Sequence, residues 1–406
     1  MPKIAATRTT LRRHLDAVVE EDLQAKMVFV AGPRQCGKTT LARLMLAKLG
    51  GSYFNWDVAA HRKQLQALAL PHDSQLWVFD ELHKFRTWRS WLKGVYDMHA
   101  DDHALLVTGS ARLDIYSRGG DSLQGRYLLH RMHPVTLSEL CELPVPDSLD
   151  SMLELATDPP STKVLSANLD ALLRLGGFPE PLLAGSDRQA ARFRLGYGTR
   201  LVREDLRDLE SIRDLDRVEL LFDRLPAGVG SLLSVNALRE DLEASFESTE
   251  TWLRALERLY AVFRIAPFGP PRIKAIKKSQ KLYFWDWSRV EGEAARLENL
   301  VMLHLLRLVH WMADVHGEKA ELRFFRDAAG HEVDAVVLRK GKPWLAVEVK
   351  TSDEQVDRGL RYLLERQAIP WAFQLSLKGT RDTLDRSVGP KGVRLMPAAK
   401  FLAGLP

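Results

Sequence analysis

The 406-residue chain is 46% hydrophobic and 27% charged, which suits a soluble globular protein of about two to four domains. No apolar run approaches the roughly 20 residues of a membrane span, and residues 1–8 lack the apolar core of a secretion signal. Two cysteines, Cys36 and Cys141, form no disulfide framework and no metal pattern, which suits a reducing cytosol, and a cytoplasmic chain is expected. The net charge of +5 permits a polyanionic partner without requiring one, so its distribution matters more than its sum.

Residues 27–31 are an apolar run of strand type. They lead into Gly32-Pro33-Arg34-Gln35-Cys36-Gly37-Lys38-Thr39, a complete G-x-x-x-x-G-K-T loop, and residues 40–49 follow with helical apolar spacing. In that setting the loop's backbone N–H groups close around phosphates, and the helix N-terminus adds positive potential. Lys38 reaches the β- and γ-phosphates and the Thr39 hydroxyl meets Mg²⁺. Residues 32–39 and Thr40 are therefore expected to bind ATP with Mg²⁺.

Residues 75–81 form a second apolar strand, ending in Asp80 and Glu81. The C-terminal ends of parallel strands open onto the ligand crevice, which puts both acids beside the phosphates. Asp80 is expected to hold Mg²⁺ and Glu81 to act as base toward the attacking water. A third strand, 104–107, runs into Thr108-Gly109-Ser110, with Ser110 the expected γ-phosphate sensor and Thr108 the reserve. Arg126 precedes a further strand, 127–132, and is the candidate finger reaching into a neighbouring subunit's site.

Residues 1–143 thus read as a P-loop α/β domain with a parallel sheet. Residues 144–224 read as a helical lid, in which Gly176-Gly177-Phe178-Pro179-Glu180 breaks one helix, starts another and serves as a hinge. In residues 225–290, a helix at 232–242 and a second at 250–259, capped by Ser248 or Thr249, precede strands 261–265 and 281–286. That is the order of a winged helix. Between the strands, Arg272, Lys274, Lys277, Lys278 and Lys281 stand without one acid, a candidate wing holding DNA phosphates. Glu250 and Glu257 argue against groove reading by the helix itself.

Residues 291–406 carry a second constellation. Asp334 lies on strand 332–338, and Glu348 and Lys350 lie on strand 344–350 after a turn, giving D-x₁₃-E-x-K. Strand alternation puts Glu348 and Lys350 on one face. Glu298 lies in an apolar helix, 296–306, and a buried carboxylate there needs a metal or Lys350 as partner. Glu298, Asp334 and Glu348 are candidate Mg²⁺ ligands, with Lys350 orienting the attacking water.

These islands, with Phe79-Asp80-Glu81-Leu82-His83-Lys84, Ser122-Leu123-Gln124-Gly125-Arg126 and Arg203-Glu204-Asp205-Leu206, resemble a family of bacterial and archaeal AAA-type ATPases with a long uncharacterised C-terminal region. His83 departs from the polar Gln-type residue usual there. The resemblance implies an ASCE-type P-loop core, a winged helix, a restriction-endonuclease-like PD-(D/E)xK fold and action on DNA. The combined expectation is a Mg²⁺-dependent ATPase remodelling or translocating on duplex or branched DNA as a homo-oligomer, such as a hexameric ring, away from membranes. The alternatives are an ATP-dependent nuclease and a nucleotide-switched scaffold.

Overall fold

Short strands that are apolar on both faces need helices above and below them, and the N-terminal third provides these. The computed structural model describes residues 11–109, 123–145, 148–149, 153, 162–206, 212, 214–269, 280–389 and 391–406. In it β1 (Met27–Ala31), β2 (Gly51–Asn55), β3 (Leu76–Asp80), β4 (Ala104–Gly109) and β5 (Tyr127–Arg131) form one parallel sheet in the order β2-β3-β4-β1-β5. β1 and β3 are buried along their whole length, whereas the edge strands β2 and β5 are only partly covered. Because β4 lies between β1 and β3, Thr108 stands in register with Val30 on one side and Asp80 on the other.

A second sheet of eight strands fills the C-terminal half. It comprises β6 (Val262–Phe268), β7 (Lys281–Phe284), β8 (Ala320–Arg326), β9 (Glu332–Arg339), β10 (Lys342–Lys350), β11 (Trp371–Ser376), β12 (Thr383–Asp385) and β13 (Val393–Pro397). The order is β12-β13-β11-β10-β9-β8-β6-β7. Alternate residues of β9 and β10 serve different cores. Val337, Leu345 and Val347 pack with the helix Glu293–Asp314, and Val336 and Ala346 pack with the helix Arg358–Leu364.

The region expected to be an independent winged helix has the expected order locally, with helices Val235–Asp241 and Phe246–Arg258 before the β6–β7 hairpin. Two details differ. The second helix starts at Phe246, because the Ser245 hydroxyl accepts the Ser248 N–H at 3.0 Å and so caps it earlier than Ser248 or Thr249 could. The hairpin is also not a free wing along its whole length: β6 pairs in parallel with β8, so one sheet runs across residue 290. Glu250 and Glu257 are both bonded to Arg264 of β6, at 2.8 and 2.7 Å, and thus neutralised within the fold.

The glycines at 176 and 177 pack closely against residues 286–288. A Cβ on Gly177 would lie 2.4 Å from Trp287, and one on Gly176, at φ +84°, would lie 2.9 Å from Asp286. Only glycine allows this close approach between the helical region and the turn after β7.

The helix Glu293–Asp314 also packs on β5, through buried polar groups. Arg13 and Arg307 both pair with Glu139, at 3.0 and 2.9 Å, and Arg131 pairs with Asp314. Burial pushes Glu139 upward, but the two guanidiniums outweigh it and hold the carboxyl well below its usual range. His304 is buried here, its Nε2 accepting the Leu137 N–H and its Nδ1–H donating to Leu300 O. Burial lowers His304 and His14 to about 4 and drives His133 well below its ordinary 6.5. A histidine depressed in the folded state contributes stability that is full above about 6.5 and is lost as pH falls toward its folded value. Thermal unfolding scans from pH 7 to pH 4 are therefore expected to show a falling midpoint, and His304→Gln is expected to reduce the fall.

Candidate nucleotide site and a C-terminal carboxylate cluster

The loop between β1 and the helix Lys38–Leu49 closes tightly. Gly32, at φ +155°, leaves no room for a side chain, since a Cβ would sit 2.3 Å from the Met132 carbonyl oxygen. Gly37, at φ +111°, is the helix N-cap. Lys38 is buried and its Nζ donates to the Gly32 and Pro33 carbonyls at 3.0 and 2.7 Å, which holds the ammonium against the loop. The Thr39 hydroxyl donates to Asp80 Oδ2 at 3.0 Å. Asp80 is itself buried and receives Thr108 Oγ1 on Oδ1 at 2.6 Å and the Tyr53 hydroxyl on Oδ2.

This oxygen-only pairing of Thr39 with Asp80 fits a hard cation such as Mg²⁺. Asp80's hydroxyl partners orient it, so Thr108 acts as a support for Asp80. Glu81 follows at φ +57°, a left-handed conformation unusual for a side chain with a Cβ, and it turns the carboxylate off the strand line. Burial raises its pKa, with Lys38 and Lys84 opposing, and Lys84 Nζ lies 3.5 Å away. A partly desolvated carboxylate next to the phosphate loop can accept a proton from water.

The C-terminal candidates come close together, but around a cation that is part of the fold. Lys281, expected to hold DNA phosphate on the wing, is 1% exposed and bridges Glu298, Glu332 and Asp334 at 3.4, 2.6 and 3.6 Å. A buried ammonium so enclosed is not available to a phosphate backbone. It is also the partner that Glu298 needs, together with the Tyr283 hydroxyl at 2.7 Å; Lys350 is not that partner. Lys350 instead pairs with Glu348 and Asp357, both at 2.9 Å. Among the described residues, Glu298, Asp334 and Glu348 form no group whose ligating oxygens all lie within 4.8 Å of one another. Burial, then Glu298 and Glu348, push Asp334 well above the usual carboxylate range, and burial raises Glu348 to about 7 against the pull of Lys350. Lys281 beside Asp334 and Lys350 beside Glu348 oppose these rises, so the cluster already holds two ammonium groups.

Residues 24–141 match the family described as AAA domain. The N-terminal part of the chain is thus similar to an AAA domain. Residues 166–290 and 294–400 match two domains of unknown function, DUF8612 and DUF4143. Uncharacterized proteins of Mycobacterium tuberculosis and Mycobacterium bovis are each 26% identical over 350 residues, 84% of this chain and 74% of theirs. Among solved structures, the Thermotoga maritima RuvB Holliday junction branch migration motor aligns at 18% identity and a TM-score of 0.29, over 61% of this chain and 87% of that one. Bacteroides Pif1 bound to ssDNA aligns at 16% identity and 0.22, over 37% and 51%.

Around the loop 32–39, the contacts of two residues escaped the sequence. Arg34 pairs with Glu204 and Asp205 at 3.1 and 2.8 Å, and Gln35 meets Glu180 and Arg200 at 3.4 and 3.5 Å. The helical region thus reaches the phosphate loop through a π-helical turn, Leu201–Leu206, and the Arg203-Glu204-Asp205 island was its signal. Tyr53 was missed because β2 has weak apolar alternation. Arg126 pairs with Asp97 at 2.6 Å and precedes Tyr127, which pairs with Met27 at the sheet end away from the loop. Ser110, Arg272, Lys274, Lys277 and Lys278 lie outside the described residues.

Proposed function

We propose that the AAA domain hydrolyses ATP with Mg²⁺ and that the chain couples this to remodelling or moving along DNA as a homo-oligomer. The observation that carries the catalytic reading is the Thr39–Asp80 bond, with Glu81 next to it on the strand end. Lys38 would hold the β- and γ-phosphates, Thr39 and Asp80 the metal, Glu81 the attacking water, and Ser110 the γ-phosphate. Bound Mg²⁺ supplies charge neutralisation between the phosphates; positioning and proton removal belong to these side chains. Arg126 is the residue proposed to act on a neighbouring copy, so turnover per protomer should rise with protein concentration.

DNA is the proposed partner because Arg272, Lys274, Lys277 and Lys278 stand in one stretch without an acid. The deciding experiment is ATP turnover with and without single-stranded, duplex and branched DNA at two salt concentrations. Lys277→Ala with Lys278→Ala is expected to weaken binding equally across sequences and to flatten the log–log salt slope by about two, one per lost phosphate contact. An unchanged affinity and slope would remove these two lysines from the interface.

The carboxylate cluster favours a second reading, an ATP-dependent nuclease. Lys350 pairs with Glu348 where a PD-(D/E)xK enzyme needs its lysine. If this site cuts, Mg²⁺-dependent nicking of supercoiled plasmid is lost in Lys350→Ala while ATP turnover persists. Equal nicking by both proteins would reject it.

A further inference from the structure

Three histidines lie at strand starts, at the sheet end opposite the nucleotide loop, and take no part in the ATPase reading. His72 is in the segment before β3, His99 ends the helix Trp88–His99, and His103 immediately precedes β4. One imidazole nitrogen from each lies within 4.8 Å of those of the other two. Their ring centroids are 5.7 to 6.1 Å apart.

The surroundings hold this arrangement in the manner of a ligand set. His103 is buried, and its Nδ1 lies 2.6 Å from the Ser74 carbonyl oxygen. A carbonyl can only accept, so Nδ1 carries the proton and Nε2 keeps its lone pair. Metal-binding histidines are oriented by such a bond. Trp77 stacks on His103 at 3.9 Å between centroids and meets His99 edge-on at 5.3 Å. The His103 N–H donates to the His99 carbonyl at 3.0 Å, which sets the spacing of these two rings. His99 is half-buried and His72 exposed, so one side of the cluster is open to solvent.

Three imidazoles without a carboxylate or thiolate disfavour Mg²⁺ and Ca²⁺, which need oxygen, and suit a borderline transition cation. Three protein ligands with one open position are also a common zinc arrangement. We propose that His72, His99 and His103 bind one divalent transition cation of the Zn²⁺ class, with solvent at the open position. The ion would tie the segment before β3 to the end of one helix and the start of β4, clamping the base of the sheet.

The test uses the full, tag-free chain stripped with chelator and titrated with Zn²⁺ in excess Mg²⁺, so that oxygen sites are occupied. One equivalent is expected to bind, and the thermal midpoint to rise by several degrees. His72→Ala with His99→Ala changes only the two less buried ligands and is expected to weaken Zn²⁺ binding about 100-fold or more and to abolish the midpoint rise. His72→Cys, measured with Co²⁺, keeps binding and adds a thiolate charge-transfer band, a readout that survives if the double variant folds poorly. Absence of Zn²⁺ binding by the parent chain overturns the proposal. So does unchanged affinity in the double variant, or Co²⁺ binding by His72→Cys without the thiolate band.

Discussion

Glu81→Gln is expected to bind ATP as the parent chain does and to hydrolyse it about 10²–10⁴-fold more slowly. The substitution keeps size and one acceptor but removes the group that takes a proton from water. Lys38, Thr39 and Asp80 are left in place, so phosphate and metal contacts persist. The left-handed backbone at Glu81, with its N–H bonded to the Thr108 carbonyl at 3.0 Å, is set by β3 and β4 and does not depend on the carboxylate. Lys38→Ala is the contrasting variant, losing binding itself. Measuring ATP affinity by titration and turnover by phosphate release separates the two. Hydrolysis by Glu81→Gln at the parent rate would show that the base is another group.

Glu139→Ala is expected to lower stability by about 3–5 kcal/mol, because it strands two buried guanidiniums without a counter-charge. The carboxylate is fully buried, pairs with Arg13 and Arg307, and accepts the backbone N–H groups of His14 and Thr136. Replacing all three charged groups together with apolar residues of like volume is expected to cost far less, since no charge is then left alone in a dry interior. The effect also reaches the nucleotide site. Arg13 Nη1 donates to the Cys36 carbonyl at 2.9 Å, so loosening Arg13 frees the phosphate loop and should raise the ATP concentration needed for half-maximal turnover. Urea unfolding of the single and triple variants checks the first claim, and steady-state kinetics the second. Similar stabilities for Glu139→Ala and the parent would exclude this cluster as the junction's electrostatic anchor.

Much of the geometry of the candidate nucleotide site was legible in the residues because a G-x-x-x-x-G-K-T loop is local. The strand, the glycines, Lys38 and Thr39 are consecutive, and backbone geometry follows from their order. Asp80 and Glu81 were legible for a related reason, since an apolar strand ending in acids has one sensible place in a parallel sheet. The groups that hold Asp80 were not, because Tyr53 and Thr108 reach it from neighbouring strands and register is a property of the sheet. Arg34 likewise looked like a loop residue facing phosphate, whereas it is bonded to acids about 170 residues away.

Lys281 shows the same limit most clearly. In the sequence it completes a run of basic residues; in the fold it is the buried cation among Glu298, Glu332 and Asp334. Charge along a chain is additive and readable, but whether a given ammonium meets water, phosphate or carboxylate depends on which strand it begins and what pairs beside it. The sequence alone determined the G-x-x-x-x-G-K-T loop between strand and helix, the two acids at the end of a later strand and the presence of a second carboxylate constellation, since each rests on short-range spacing. The tertiary structure alone decided which charges neutralise one another, where the hairpin strands pair and how the two halves meet. Those outcomes depend on burial and long-range register, for which neighbouring residues carry no signal.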